Sequence, residues 1–279
     1  MSARATVRSL AGGAIKRVAA GADVLRRAAG GVTILIYHRV GLGTGGEVDL
    51  DPATFDRQLA WLREHRRVLH LDDALDELRG GAPTGGDASR EAVVLTFDDG
   101  TRDWVEQVLP LLDRHGVPAT FYVATDFVER QVPFPGDGAP ITWEGLRELA
   151  SSPLVTIGSH THRHLLLDRL PRQGVEQELD TSIGLLQDRL GVDPAHFCYP
   201  KAVAGSPDAE AAVRARFRSA VLAGTRPNPA GTDPHRLHRS PVQRSDGMRW
   251  FERKATGGMR LEDDLRRVAN RVRYRGATS

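Results

Sequence analysis

The chain holds one cysteine, Cys198, in 279 residues. A disulfide within the chain is excluded, as is a zinc site built on several thiolates, and the composition suits a reducing compartment. Long apolar runs are missing too. Val32-Thr33-Ile34-Leu35-Ile36-Tyr37 is only strand-sized, and no run approaches the length of a membrane span. The first thirty residues lack the continuous apolar core of a signal peptide, because Arg4, Arg8, Lys16, Arg17, Arg26 and Arg27 interrupt it. Neither sign of charge dominates. The net charge is +2, so the molecule is no polyelectrolyte, and its basic ends carry no nucleic-acid recognition motif. These absences set the expectation of a cytoplasmic protein that does not bind nucleic acid.

What is present falls into three parts. Residues 1–30 read as a basic helix, either solvated or lying on an anionic membrane surface as a peripheral contact. Residues 31–250 read as one domain without linker or repeat, and residues 251–279 as a basic helical tail. Within the domain, strand-sized apolar runs alternate with helical periodicities. Strands are predicted over 32–37, 92–97, 119–123, 154–159, 197–199 and 219–223, with shorter ones over 67–70 and 237–242. Helices are predicted from Pro52 and over 72–78, 103–115, 142–150, 173–190, 208–217 and near 248–254. The glycine-rich stretch 41–46 reads as a loop without regular structure. Strands and helices alternating through short turns predict an α/β fold of parallel strands with right-handed crossovers. About seven such units suit a barrel, whose chemistry would sit at the carboxyl ends of the strands.

Two polar strings stand at such ends. Thr96-Phe97-Asp98-Asp99-Gly100 follows Val93-Val94-Leu95, and Ser159-His160-Thr161-His162-Arg163-His164 follows Val155-Thr156-Ile157-Gly158. Asp-Asp-Gly alone is also an ordinary turn sequence. Three histidines within five residues after a buried strand are harder to explain as surface. His160 and His162 point apart if the strand continues, whereas His160 and His164 share a face if the chain turns helically. The second pair is preferred as ligands, with His162 in reserve. One carboxylate and two imidazoles suit a divalent metal, zinc first, leaving a position for water. Cobalt, nickel, manganese or iron would also be accepted. The second carboxylate is then left as a base.

These strings resemble the polysaccharide deacetylase family (carbohydrate esterase family 4, the NodB homology domain). The first matches that family's T-F-D-D-G at every position. The second matches its pattern of a histidine, then serine or threonine, then a second histidine three residues on. The resemblance spans roughly residues 32–250 and implies a distorted barrel with fewer than eight strands. It implies hydrolysis of the acetamide of an N-acetylated sugar, either a polysaccharide or a lipid- or nucleotide-linked precursor. By the same resemblance Asp98 is the general base, and Asp99, His160 and His164 hold the metal.

Three departures from the family pattern bear on the site. The usual third string, R-x-P-Y, is here Cys198-Tyr199-Pro200-Lys201, so its arginine is missing. The N–H of Lys201 is a candidate oxyanion donor and Arg239 a candidate substitute guanidinium. The late leucine-x-histidine is matched only loosely, by Leu237-His238. Tyr37-His38-Arg39-Val40 instead resembles the Y-H-x-V string of the exopolysaccharide-deacetylase branch, which makes His38 the preferred general acid over His238. Tyr199, Pro200, Lys201 and Arg239 are the expected substrate-side residues. The missing arginine leaves one alternative, a catalytically impaired carbohydrate-binding relative of the same fold. Trp104 and Cys198 are expected in the core, while Phe134 and Trp250 are weaker pocket candidates.

Overall fold

The computed structural model describes residues 30–260. The helix expected over 1–30 (Gly30 aside) and the tail beyond Arg260 lie outside the described residues. In chain order the strands are β1 (Thr33–Tyr37), β2 (Arg39–Val40), β3 (Asp49–Leu50), β4 (Arg67–Val68), β5 (Ala92–Asp99), β6 (Ala119–Val123), β7 (Val155–Ser159), β8 (His196–Cys198), β9 (Ser219–Val221) and β10 (Ser240–Pro241). Seven of them form one curved sheet in the order β10-β1-β5-β6-β7-β8-β9, every neighbouring pair parallel. β4 adds beside the start of β5.

The sheet's two ends meet through one stretch of chain. Leu237 bridges Val221 in parallel, and Gly224 N–H donates to Arg239 C=O at 2.8 Å. Two residues on, Ser240 and Pro241 pair with Leu35 and Ile36 of β1. The strand expected over 237–242 is therefore divided: its first half leans on β9 and its second on β1. This closes a distorted (β/α) barrel of seven strands, the architecture expected from the sequence.

Side-chain alternation along the strands separates two packing layers. Leu35, Tyr37, Leu95, Phe97 and Phe121 face outward and pack under the surrounding helices, with Trp104 among them. Ile34, Val94, Tyr122, Cys198 and Leu237 form a second cluster. Helix Pro52–His65 begins at Asp51, whose carboxylate accepts from Thr54 N–H at 2.9 Å, with proline at the first turn. Helix Arg172–Leu190 stops at Gly191, which takes φ 69°.

Three elements differ from expectation. The helix predicted over 103–115 opens as a π-helical segment, Trp104–Val108, before α-helix Leu109–His115. Pro110 has no N–H for Glu106 C=O and its ring crowds that carbonyl, which widens the turn. Helix Thr125–Arg130 is too short to show a period in the sequence. The glycine-rich stretch leads into a small parallel ladder, β2 with β3, held because the Asp49 carboxylate accepts from Leu42 and Thr44 N–H. Among the described residues, no helix is long and apolar enough to cross a membrane.

Candidate active site

Asp98 and Asp99 end β5 at the carboxyl mouth of the barrel. Adjacent residues of a strand point to opposite faces, so the chain must break its extended form for both carboxylates to serve one site. It does so at Asp99, whose φ is 91°. Five of the eight non-glycine residues with positive φ among the described residues are Asp99, Thr161, His164, Lys201 and Ala202. All lie at this mouth, Asp99 at the end of β5 and the others just after β7 and β8. Such conformations cost of order 1–3 kcal/mol each and persist where the surroundings over-determine them.

Asp98 is buried and gripped by Arg239. Nη1 donates to Oδ1 at 2.7 Å and Nη2 to Oδ2 at 2.8 Å. The guanidinium also donates to Thr96 Oγ1, Leu222 C=O and Cys198 Sγ, and it lies 5.5 Å over the Tyr122 ring. Burial alone would raise the Asp98 carboxyl; Arg239 outweighs it and holds Asp98 well below the usual carboxylate range. The Cys198 thiol, kept protonated by burial, faces Asp98 Oδ2 at 3.4 Å. A buried carboxylate is thus kept ionised and fixed in one orientation.

Asp99 faces two imidazoles. Its Oδ1 lies 3.8 Å from His160 Nε2 and 3.8 Å from His164 Nε2, and the two rings sit 4.7 Å apart. His160 Nδ1 bonds Cys198 C=O at 2.8 Å. A carbonyl can only accept, so Nδ1 carries the proton and Nε2 offers its lone pair toward Asp99. Burial lowers His160, and burial with its neighbour His160 pushes His164 down to about 3. Both rings are neutral at ordinary pH, the form that binds metal. A carboxylate and two neutral imidazoles whose donor atoms lie within 4.8 Å of one another fit a zinc-type site with one position left open. Asp98, His160 and Cys198 also lie together, but Arg239 already occupies the Asp98 oxygens, which excludes that set.

His38 directly follows β1 and is close enough for its charge to act on Asp98 and on Asp99. Its Nδ1 is buried without a protein partner, and its backbone is fastened, since Trp104 Nε1 donates to His38 C=O at 2.8 Å. His238 precedes Arg239 in the closing segment; its N–H donates to Asn228 Oδ1 and its C=O accepts from Asn228 Nδ2.

Other expected residues divide. Lys201 sits at the mouth, within electrostatic reach of His164, and Pro200 is buried beside it. Tyr199 does not line the mouth. Alternation turns Cys198 inward and Phe197 and Tyr199 outward, where their rings meet edge-on at 5.0 Å in an outer cluster. Phe134 is likewise buried, stacked on Phe127 at 4.1 Å. The reserve ligand His162 turns away to Thr125 Oγ1, 3.0 Å from its Nδ1. Thr96 and the Cys198 carbonyl were not singled out by sequence reasoning, although both lie inside the strings that carried the site. A cavity of about 420 Å³ lined by Val32, Arg67, Glu77 and Ala92 opens at the amino ends of the strands, away from these groups.

Fold and cluster together place a candidate metal centre at the carboxyl ends of the strands of a barrel. Comparison with known proteins points to the polysaccharide deacetylases. The polysaccharide deacetylase family model matches residues 85–218, a span that contains both polar strings. It is 26% identical over 219 residues to YxkH of Bacillus subtilis (strain 168), a candidate polysaccharide deacetylase, covering 77% of this chain and 72% of the relative. It is 36% identical over 114 residues to the poly-beta-1,6-N-acetyl-D-glucosamine N-deacetylase of Escherichia coli (strain K12). That match covers 37% of this chain but only 16% of the relative's length. Among solved structures, IcaB from Ammonifex degensii superposes with a TM-score of 0.71 at 23% identity, over 82% of this chain and 98% of that one. The Streptococcus pyogenes deacetylase PplD, in complex with acetate, gives 0.69 at 19% identity, over 81% and 98%.

Proposed function

We propose that this protein hydrolyses the acetamide of an N-acetylated sugar, with Asp98 as general base and His38 as general acid. The observation that carries the reading is the Asp99–His160–His164 cluster next to a carboxylate held ionised by Arg239. Asp99, His160 and His164 would hold a divalent metal, zinc first. A bound metal of this kind polarises a carbonyl and acidifies water. Asp98 takes the proton of the attacking water as the tetrahedral oxyanion forms, and the N–H of Lys201 is a donor for that oxygen. His38 returns a proton to the departing amine. Arg239 orients Asp98 and keeps it unprotonated, the task left open by the missing arginine of the third string. That replacement favours an active enzyme over a binding-only relative.

The substrate class follows the E. coli relative by name, a poly-N-acetylglucosamine, with lipid- or nucleotide-linked amino sugars as the other acceptors of the same chemistry. The test is acetate release from free, oligomeric and nucleotide-linked N-acetylhexosamines, with chelator and with zinc restored. Zinc-dependent release that vanishes in Asp99→Ala supports the reading. No release from any of them by zinc-loaded protein goes against it.

A further inference from the structure

We propose that helix Arg172–Leu190 sets the spacing of His160 and His164, acting through Glu178 and Ser182. The proposal rests on the reading of those histidines as metal ligands. They flank a loop that is neither strand nor helix. Thr161 takes φ 65° and His164 φ 58°, and for a β-branched residue such as Thr161 this is a true outlier. Something outside the loop must hold it there.

Two residues of one helix do so. Glu178 and Ser182 are four apart and share a face. Ser182 Oγ bonds Ser159 Oγ at 2.8 Å. Glu178 spends both oxygens on Arg163: Oε2 accepts the backbone N–H at 2.7 Å and Oε1 accepts Nε at 2.6 Å. The anchored residues, Ser159 and Arg163, each immediately precede a ligand, His160 and His164. The side chain of Glu178 is 1% exposed whereas that of Arg163 is 49% exposed. A surface ion pair has no need of a buried carboxylate; one that meets a main-chain N–H as well fixes where the backbone runs. Ser159 Oγ also accepts from Thr161 N–H at 3.3 Å, so the Ser182 contact extends to the first strained residue. Helix Thr125–Arg130 holds the outer side of the loop, through Asp126 N–H to His162 C=O at 2.9 Å. Its Thr125 N–H also reaches Thr161 C=O at 3.4 Å, and Val123 C=O accepts the His160 N–H at 2.9 Å, but among the described residues only Glu178 reaches the residue before His164.

The test is zinc affinity of the full chain, stripped of metal and titrated with zinc against a chromophoric chelator, with thermal unfolding of the metal-free proteins run alongside. Partners that orient metal ligands typically contribute about 10- to 100-fold in affinity. Glu178→Gln, which keeps one acceptor, is expected to weaken zinc about 10-fold, Glu178→Ala further and Ser182→Ala less. Glu178→Gln decides the matter if the alanine variant does not fold. Zinc affinity within about twofold of wild type in Glu178→Gln overturns the spacing role while leaving the metal reading intact. Failure of the wild-type protein itself to take up zinc overturns both.

Discussion

Arg239 holds both oxygens of Asp98 across 141 residues of chain. The guanidinium reaches the carboxylate from the segment that closes the barrel, and its planar fork matches the two oxygens in a way an ammonium cannot. Arg239→Lys is therefore expected to keep zinc binding and lose turnover. Loss of one charged hydrogen bond, about 1.5–3 kcal/mol, corresponds to roughly 10- to 100-fold in kcat. Arg239→Ala leaves a buried carboxylate unpaired and should lower stability by about 3–5 kcal/mol, read by urea unfolding.

The adjacent carboxylates should separate cleanly. Asp98→Asn removes the proton acceptor and is expected to cut kcat by about 10²–10⁴ while zinc still binds. Asp99→Ala should lose zinc itself. Zinc titration and acetate release on the two variants check this, and loss of zinc from Asp98→Asn would refute the division.

The two candidate acids should differ as sharply. His38→Ala is expected to lower kcat by about 10²–10⁴ with zinc affinity unchanged. His238→Ala should leave kcat within about twofold of wild type, because His38, and not His238, is among the main charges acting on Asp98 and Asp99. A deacetylase assay on both decides it.

Asp103 gives a pH signature of stability. Its Oδ2 accepts Val40 N–H at 2.6 Å, and burial pushes its carboxyl up from 3.8 to about 6. A raised acid holds its proton more tightly when folded, so its contribution is fully present below about pH 4 and is lost as pH rises through 6. A shift of about two units corresponds to roughly 3 kcal/mol. Asp103→Asn does not titrate, so its stability relative to wild type should rise by about that amount between pH 4 and pH 7. Parallel urea curves at both pH values would refute it.

Gly158 is a packing requirement of the same region. A Cβ there would lie 2.6 Å from Tyr122 Cδ1 and 2.8 Å from His196 C=O. Gly158→Ala is expected to lose about 1–3 kcal/mol, and since Tyr122 lies beneath Arg239, turnover should fall with it. A wild-type urea midpoint would count against this packing.

Much of the candidate site was legible because Asp98, Asp99, His160 and His164 come as contiguous strings at the ends of strongly apolar strands. Arg239 was legible only as a candidate, since nothing in Leu237–Ser240 announces which strand it will lie beside. The pairing of 237–241 with β9 and then β1 is a long-range event. Tyr199 was misassigned because a string places residues at a strand end without saying which face each takes. The π turn follows from Pro110, a local cue passed over in favour of the longer helical period. Glu178 and Ser182 read as ordinary polar positions on a helix, and only the folded loop makes them particular.

The closure of the barrel through 237–241 also sets an order of assembly. During synthesis the strands bearing Asp98, Asp99, His160 and His164 are complete well before Arg239 is added. A chain stopped short of the closing segment would hold all three proposed metal ligands and the proposed base, but without the Arg239 guanidinium that pairs with Asp98. Capacity to take up metal and capacity to turn over substrate would therefore be acquired at different moments, the second only when the last strand seats against the first.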